Sequence, residues 1–296
     1  MAIKFSGTIT AIITPFKEDL SVDIDSFKKL LDFQINEGID GIVVCGSTGE
    51  SATLSAKEKL SLIITAVEHV NGRVPVIAGT GSNNTQDTID LSLLAREHGA
   101  DGVLLVAPYY NKPNQEGLYN HYLAIAEAVN IPQIIYNVPG RAGVNILPEV
   151  QLKLAEEIPH IVATKEASGD LEQIMTIIKY APKDFAVLSG DDALTMPILH
   201  VGGHGVISVL SNYAPKKFGE AVRQALKGNT AKANKLHYEL FDLMQANFID
   251  TNPIPVKTAL ALMGKCNEIF RLPLIPMNDQ EKEMLSQLLK ENGFIK

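Results

Sequence analysis

Eight short apolar segments recur along residues 1–226 of this chain, and each is followed by a stretch with helical spacing. The segments are residues 9–13, 41–45, 74–78, 103–106, 133–136, 161–165, 186–188 and 206–209. They are apolar almost without interruption rather than in alternation, which is typical of parallel strands that are buried on both faces. The chain therefore needs a fold in which helices cover both faces of such strands.

The stretches between the segments carry apolar residues every three or four positions, as an amphipathic helix does. Ile24, Phe27 and Leu31 show this spacing, and so do Leu60 and Ile63. Eight strand–helix units over this length favour an α/β fold of the closed (β/α)8 TIM barrel type. An open, doubly wound sheet is the alternative, because a sequence does not show closure.

No strand signal follows residue 226, and residues 227–296 are predicted to form a C-terminal helical region. Helical spacing covers residues 230–248, 256–263 and 278–293. The run Asn252-Pro253-Ile254-Pro255 is predicted to be an extended or turned link, because proline restricts its own backbone and that of the preceding residue. The region is expected to be an assembly surface or to pack on the barrel.

Charge and composition exclude several classes of partner. The net charge is −8 and the basic residues are scattered, which argues against nucleic acid and anionic membranes. No apolar run is long enough to span a bilayer, and residues 1–6 lack the apolar core of a signal peptide. Two cysteines, Cys45 and Cys266, are too few for a disulfide framework, so we expect a reduced, cytoplasmic protein. Neither CxxC nor HExxH occurs, and no metal site is expected.

A lysine closes the sixth apolar segment. Lys165 ends residues 161–165, and Asp170 is placed to cap the following helix, with Gln173 three residues on. In a barrel this position faces the mouth, where the loops after the strands build the active site. Ammonium groups are rarely buried without a partner. The alternative is a surface lysine whose aliphatic stem covers apolar neighbours.

Other polar residues follow strands at the same predicted mouth. Tyr136 ends the fifth segment, and Arg141 follows it, where a guanidinium can hold a carboxylate through two parallel bonds. The alternative is a core tyrosine and a surface arginine. Ser47 and Thr48 lie between glycines after the second segment, a pattern that suits a carboxylate site or an ordinary tight turn. Tyr110, the second of two adjacent tyrosines after the fourth segment, is expected at an interface, at a site or in packing.

This set of residue types favours Schiff-base chemistry on a keto acid. A lysine amine attacks a carbonyl carbon only in its neutral form, whereas the free side chain has a pKa of about 10.4. A desolvated pocket disfavours the charged form and so frees the amine. A tyrosine hydroxyl can relay protons, while arginine and small hydroxyls hold a carboxylate. The set contains neither a pair of acids nor a Ser-His-Asp arrangement.

Four motifs resemble those of the pyruvate-dependent class I lyases, and the resemblance extends over essentially the whole chain. They are residues 8–16, 108–113, 136–141 and 252–257. The motif Tyr-Asn-Val-Pro-Gly-Arg at 136–141 is similar to the branch that condenses pyruvate with L-aspartate 4-semialdehyde to 4-hydroxy-tetrahydrodipicolinate. In that branch the arginine matching Arg141 binds the semialdehyde carboxylate, and sialic acid lyases lack it.

The resemblance implies no metal or organic cofactor and a homotetramer built as a dimer of dimers. It implies the first committed step of lysine biosynthesis through diaminopimelate. Lys165 would form the imine with pyruvate, while Tyr136, Ser47 and Tyr110 would relay protons. In the family, the tyrosine that matches Tyr110 reaches in from a neighbouring subunit. Ser47 departs from the threonine of many members but keeps the hydroxyl.

The resemblance also implies which residues hold the substrates. Thr48 would bind the pyruvate carboxylate and Arg141 the semialdehyde carboxylate. Gly190 and Ile207 would contact substrate through their backbones.

A feedback site for lysine at the family's dimer interface matches seven positions of this chain. They are Ser51, Ala52, Ala56, Lys59, Asn83, Asp87 and Tyr109. Lysine-sensitive members carry histidines where Ala56 and Lys59 stand, and glutamate where Asp87 stands. Because Lys59 would bring a positive charge near a cationic effector, we expect weak or absent inhibition by lysine.

Three other functions fit parts of the sequence. A lyase of the same fold that acts on a sugar acid is opposed by Arg141. A non-catalytic binding protein is opposed by the complete set of Lys165, Tyr136 and Tyr110. A phosphate-binding barrel enzyme is opposed because the glycine-rich residues 202–205 are not accompanied by clear phosphate-binding groups.

Overall fold

The computed structural model describes residues 5–296; residues 1–4, on which part of the signal-peptide expectation rests, lie outside them. The strands are β1 (Gly7–Ala11), β2 (Gly41–Val44), β3 (Val76–Gly79), β4 (Gly102–Val106), β5 (Gln133–Asn137), β6 (Ile161–Glu166), β7 (Ala186–Ser189) and β8 (Gly205–Ser208). The helices among and after the strands are α1 (Ile24–Asn36), α2 (Ala56–Val70), α3 (Thr85–Glu97), α4 (Gln115–Ala128), α5 (Pro139–Ala142), α6 (Pro148–Glu157), α7 (Leu171–Tyr180), α8 (Thr195–His200) and α9 (Pro215–Leu226). The C-terminal region adds α10 (Thr230–Ala246), α11 (Ile254–Leu262) and α12 (Asp279–Glu291).

The eight parallel strands form a closed barrel in chain order, with β1 paired to both β2 and β8. The predicted (β/α)8 fold is confirmed, and the open sheet is excluded. Closure depends on a glycine at the seam between the first and last strands. A Cβ on Gly205 would lie 2.2 Å from the carbonyl oxygen of Gly7, so no larger residue fits there.

Local sequence explains where several helices begin. Asp23 caps α1, and Ser55 with Glu58 forms a complete capping box on α2. Asp170 caps α7 as predicted, by accepting hydrogen bonds from two backbone N–H groups of the first turn. Gln173 does not complete a capping box there, because its side chain turns instead to a buried carboxylate at the site described below.

The C-terminal helices pack on the barrel rather than forming a separate layer, with α10 against α9 and α12 against α10 and α11. The predicted link is wrong in part. Ile254 and Pro255 already belong to α11, because the first turn of a helix tolerates a residue without an N–H. Within residues 5–296 no helix is long and apolar enough to cross a membrane. The same residues contain no group of three His, Cys, Asp or Glu side chains placed to hold a metal ion.

Candidate active site

A cavity of about 170 Å³ opens at the carboxyl ends of the barrel strands. Its walls include Ser47, Thr48, Tyr136, Arg141, Lys165 and Gly190, six of the residues that the sequence singled out. Lys165 and Tyr136 lie one residue before the ends of β6 and β5, and the two hydroxyl residues follow β2. The structure therefore brings these six side chains or backbones to one place, and their individual roles stay predictions.

Lys165 is a buried amine without a buried counter-charge. It is 6% exposed, and its Nζ lies 4.1 Å from the centroid of the Tyr136 ring. Tyr136 stands opposite Lys165 in the register of β5 and β6, so the two side chains share one face of the sheet. No salt bridge within residues 5–296 involves Lys165. In its neutral form such an amine is free to attack a carbonyl carbon.

Gly190 makes room for this lysine. A Cβ at position 190 would lie 3.1 Å from Cε of Lys165 and 2.6 Å from the Cβ of Ala167. The backbone N–H of Gly190 donates to the carbonyl oxygen of Glu166 at 2.7 Å. A side chain here would push the loop after β7 away from β6 or displace the amine.

Two of the predicted residues do not line the cavity. Tyr110 is 89% exposed, with a φ of +72° in the left-handed region, and Ile207 is buried within β8. Tyr136 and Ser47 share the cavity, but no hydrogen bond joins their hydroxyls within the part of the chain that the structure describes. The predicted proton relay is thus not formed by these residues alone.

Asn252 lines the cavity, although its place in the predicted link did not indicate a site residue. Its side-chain Nδ2 donates to the hydroxyl oxygen of Thr48 at 3.1 Å, and its backbone carbonyl oxygen accepts from Nη2 of Arg141 at 3.1 Å. Its side-chain Oδ1 is buried and has no hydrogen-bond partner in residues 5–296. The contact with Thr48 joins positions 204 residues apart, and no local pattern reveals it.

A buried carboxylate lies on the other face of the strand that carries Lys165. Glu166 is 1% exposed, and alternation along β6 points it away from the cavity. Its oxygens accept four side-chain hydrogen bonds at 2.7–3.1 Å, from Asn137, Gln151, Gln173 and Ser168. Because the donors come from β5, α6, α7 and the loop after β6, this network fixes the strand ends that hold Tyr136 and Lys165.

The two aspartates after β7 have different surroundings. Asp191 lines the cavity, and its carboxylate accepts the backbone N–H of Ala193 at 2.8 Å. Asp192 is buried and accepts the backbone N–H groups of Val209 and Leu210 just beyond β8. Burial raises the pKa of Asp192 to about 6, although these hydrogen bonds act to lower it. Asp192 therefore ties two loops of the mouth together.

A second cavity, of about 320 Å³, adjoins the first and shares Ser47, Arg141 and Asn252 with it. Four of the seven predicted effector positions line it, namely Ser51, Ala52, Lys59 and Tyr109. Ala56, Asn83 and Asp87 are not among its lining residues. The effector site stays a prediction, and only part of it coincides with this cavity.

The closed barrel, with a buried lysine beside a tyrosine at its strand ends, has the arrangement expected of barrel enzymes that act through a lysine Schiff base. The dihydrodipicolinate synthetase family matches residues 4–292, and the chain belongs to this family, as the sequence predicted.

Individual relatives agree with this membership. The 4-hydroxy-tetrahydrodipicolinate synthase of Geobacter metallireducens is 53% identical over 293 residues, which are 98% of this chain and 100% of that protein. The crystal structure of dihydrodipicolinate synthase from Aquifex aeolicus superposes with a TM-score of 0.97 at 46% identity, covering 98% of this chain and 99% of that one. A variant described as the first monomeric dihydrodipicolinate synthase has a TM-score of 0.97 at 44% identity, covering 99% and 98%.

Proposed function

We propose that this chain is a lyase that condenses pyruvate with L-aspartate 4-semialdehyde to give 4-hydroxy-tetrahydrodipicolinate. The observation that carries the proposal is Lys165, a buried amine with no carboxylate partner in residues 5–296 that stands beside Tyr136 at the cavity. The reaction named for the Geobacter relative supports the choice of substrates. The step is the first committed one of lysine biosynthesis through diaminopimelate, and we assign it to the cytoplasm.

The chemistry runs through covalent intermediates on Lys165. The neutral amine attacks the keto carbon of pyruvate, and loss of water leaves an imine. The imine draws electrons, so a methyl proton leaves and an enamine forms. The enamine carbon attacks the aldehyde carbon, whose oxygen takes up a proton. The amine of the joined product then attacks the imine carbon, closes the ring and releases the amine of Lys165. Tyr136 carries protons between these steps.

The hydrogen bonds of the cavity suit two carboxylates. Thr48 Oγ1 accepts from Asn252, which leaves the hydroxyl proton of Thr48 available to the pyruvate carboxylate. Nη2 of Arg141 donates a hydrogen bond to the backbone carbonyl oxygen of Asn252, so the other N–H groups of Arg141 remain for the semialdehyde carboxylate. Gly190 lines the cavity and contributes a backbone contact to the substrates. The matching expectation for Ile207 has no such support, because Ile207 is buried within β8 and does not line the cavity.

We infer that the working form is a homotetramer arranged as a dimer of dimers. Tyr110 is 89% exposed in a left-handed conformation, which is costly for a bulky residue unless further contacts stabilise it. Its hydroxyl would enter the cavity of a partner copy and join Tyr136 and Ser47 in the relay. Because one relative is a monomeric variant, assembly has to be measured separately from fold. Analytical ultracentrifugation that finds a fully active monomer would contradict this inference.

A coupled assay tests the reaction. The protein is given pyruvate, aspartate semialdehyde and the downstream reductase, and the consumption of NADPH is followed for the wild type and for Arg141→Ala. Turnover that collapses in the variant supports the proposal. If borohydride traps pyruvate on Lys165 without turnover, the acceptor is a different aldehyde, as in a sugar-acid lyase. Absence of both signals would leave a non-catalytic binding protein.

A further inference from the structure

A fully buried ion pair joins the loop after β2 to the C-terminal region. The ammonium of Lys257 contacts the carboxylate of Glu50, and neither side chain has exposed surface. Lys257 also donates to the carbonyl oxygen of Ile269 at 2.9 Å. Its Nζ lies 4.3 Å from the ring centroid of Phe16 and 5.0 Å from that of Phe270. A carboxylate, a carbonyl oxygen and two aromatic rings therefore lie next to this ammonium.

Glu50 belongs to the same tight turn as the two cavity hydroxyls. Its backbone N–H donates to the carbonyl oxygen of Ser47 at 3.1 Å, and Thr48 lies two residues before it. Its φ is +53°, in the left-handed region that glutamate rarely adopts. Such a conformation persists only where surrounding contacts hold it. Two contacts anchor the Glu50 side chain: the ion pair with Lys257, and a long hydrogen bond at 3.5 Å that its Oε2 accepts from the backbone N–H of Arg271.

Two more residues of the C-terminal region hold the same segment of chain. Asn252 donates to the Thr48 hydroxyl, and Arg271 donates to the carbonyl oxygen of Thr53 at 3.0 Å and pairs with Glu58. We call Asn252, Lys257 and Arg271 the C-terminal clasp. The clasp holds the loop after β2 at its start, its middle and its end.

A buried ion pair is a poor source of stability, because removing two charges from water offsets most of their attraction. The ion pair instead fixes geometry, because the carboxylate has to meet the ammonium at one place. We propose that Lys257 is a positioning residue that holds Glu50, and through it the Thr48 hydroxyl, where the pyruvate carboxylate binds. The part that concerns pyruvate rests on the proposed function, whereas the part that concerns the loop does not.

The test uses Lys257→Met, which keeps the length of the side chain and removes its charge. Amide hydrogens of residues 46–53 should exchange faster, by hydrogen-exchange mass spectrometry, than in the wild type. The pyruvate concentration that gives half-maximal borohydride trapping on Lys165 should rise about tenfold. Trapping at saturating pyruvate should stay within about twofold of the wild-type rate, because the amine itself is untouched.

Two further variants separate positioning from loss of stability. Leu285→Ala empties a buried position of α12 and lowers the unfolding temperature without touching the loop. It should leave half-saturation by pyruvate unchanged. The double variant Glu50→Gln with Lys257→Met removes both charges, so it should unfold at a higher temperature than Lys257→Met alone. Its half-saturation should stay raised, because the directed contact is still missing.

Unchanged exchange in residues 46–53 in both Lys257 variants would overturn the proposal. An equal rise in half-saturation in Leu285→Ala would also overturn it, since lost stability would then be sufficient. If the wild type itself gains no pyruvate under borohydride, the proposed function fails. The exchange comparison then still decides whether Lys257 holds the loop.

Discussion

Lys165 and Lys257 are the two buried lysines of residues 5–296, and their surroundings are opposite. Lys257 meets the Glu50 carboxylate, a carbonyl oxygen and two rings, whereas Lys165 meets one ring and a cavity. Burial lowers the pKa of Lys257, and the carboxylate of Glu50 opposes this lowering. A compensated buried charge thus fixes structure, while a buried amine without a counter-charge is available for chemistry.

The most severe test exchanges each lysine for methionine. Lys165→Met should lower turnover at least about 10⁴-fold and abolish borohydride trapping, because no other group forms the imine. Its unfolding temperature should equal or exceed that of the wild type, because an amine without a counter-charge becomes an apolar side chain. Thermal unfolding by circular dichroism measures this. If Lys165→Met lost as much stability as Lys257→Met, the two lysines would not differ as described.

Substitutions of Arg141 test the binding of the semialdehyde carboxylate separately from imine formation on Lys165. Arg141→Ala should lower kcat/KM for the semialdehyde about 10³-fold, because a carboxylate loses its charged partner. Pyruvate trapping on Lys165 should be unchanged, because Arg141 acts on the second substrate. Arg141→Lys is the matched control and should recover only part of the loss, since an ammonium lacks the two parallel N–H bonds. A loss of trapping in Arg141→Ala would show that the two functions are not separate.

Asp192 extends the comparison to a buried acid without a cation. Burial raises its pKa from 3.8 to about 6, so between these values the folded protein keeps a proton that the unfolded chain has released. This contribution to stability is complete below pH 4 and is lost as the pH rises to 6, with a total of about 3 kcal/mol. Urea unfolding from pH 4 to 7 should show this fall for the wild type relative to Asp192→Asn. Parallel curves for the two proteins would contradict it.

Glu166 is a second buried acid, and amide and hydroxyl hydrogen-bond donors compensate its charge in place of a cation. Glu166→Gln should lower the free energy of unfolding by about 2 kcal/mol, because its amide oxygen can replace Oε1 for Asn137 and Gln151 only if the new NH₂ group faces the N–H and O–H donors of Ser168. The exposed Glu127→Gln is the control and should change it by less than about 0.5 kcal/mol. Denaturant titration measures both. Equal values would mean that the network around Glu166 contributes no more than a surface carboxylate.

The smallest expected effect concerns lysine as an effector. Lys59 lines the second cavity, and its charge should oppose binding of another cation. Turnover should change less than about twofold at millimolar L-lysine. The double variant Ala56→His with Lys59→His, which introduces the two histidines of lysine-sensitive members and leaves Asp87 in place, should gain inhibition. Strong inhibition of the wild type would refute the expectation.

The barrel and most of its mouth could be predicted from the sequence because both depend on local patterns. Apolar runs and helical spacing mark the strand–helix units, and the strand ends then point to Lys165 and Tyr136. Asn252 could not be predicted in this way, since its contact with Thr48 joins positions 204 residues apart. The pairing of Lys257 with Glu50 spans 207 residues for the same reason.

Two further features lay beyond local pattern. The four donors around Glu166 come from separate elements, so their meeting depends on how the barrel packs. The role proposed for Tyr110 would depend on a second copy of the chain, because its exposed position in one copy does not define a contact.

The C-terminal clasp also has a consequence for the order of synthesis. A ribosome finishes β8, and with it the closed barrel holding Lys165, before it makes Asn252, Lys257 and Arg271. Segments made first generally fold first. A nascent chain can thus contain the amine of Lys165 in a closed barrel before the C-terminal clasp holds the turn around Thr48. Under the proposed function, full affinity for a keto acid would then be reached only when the last part of the chain has been made.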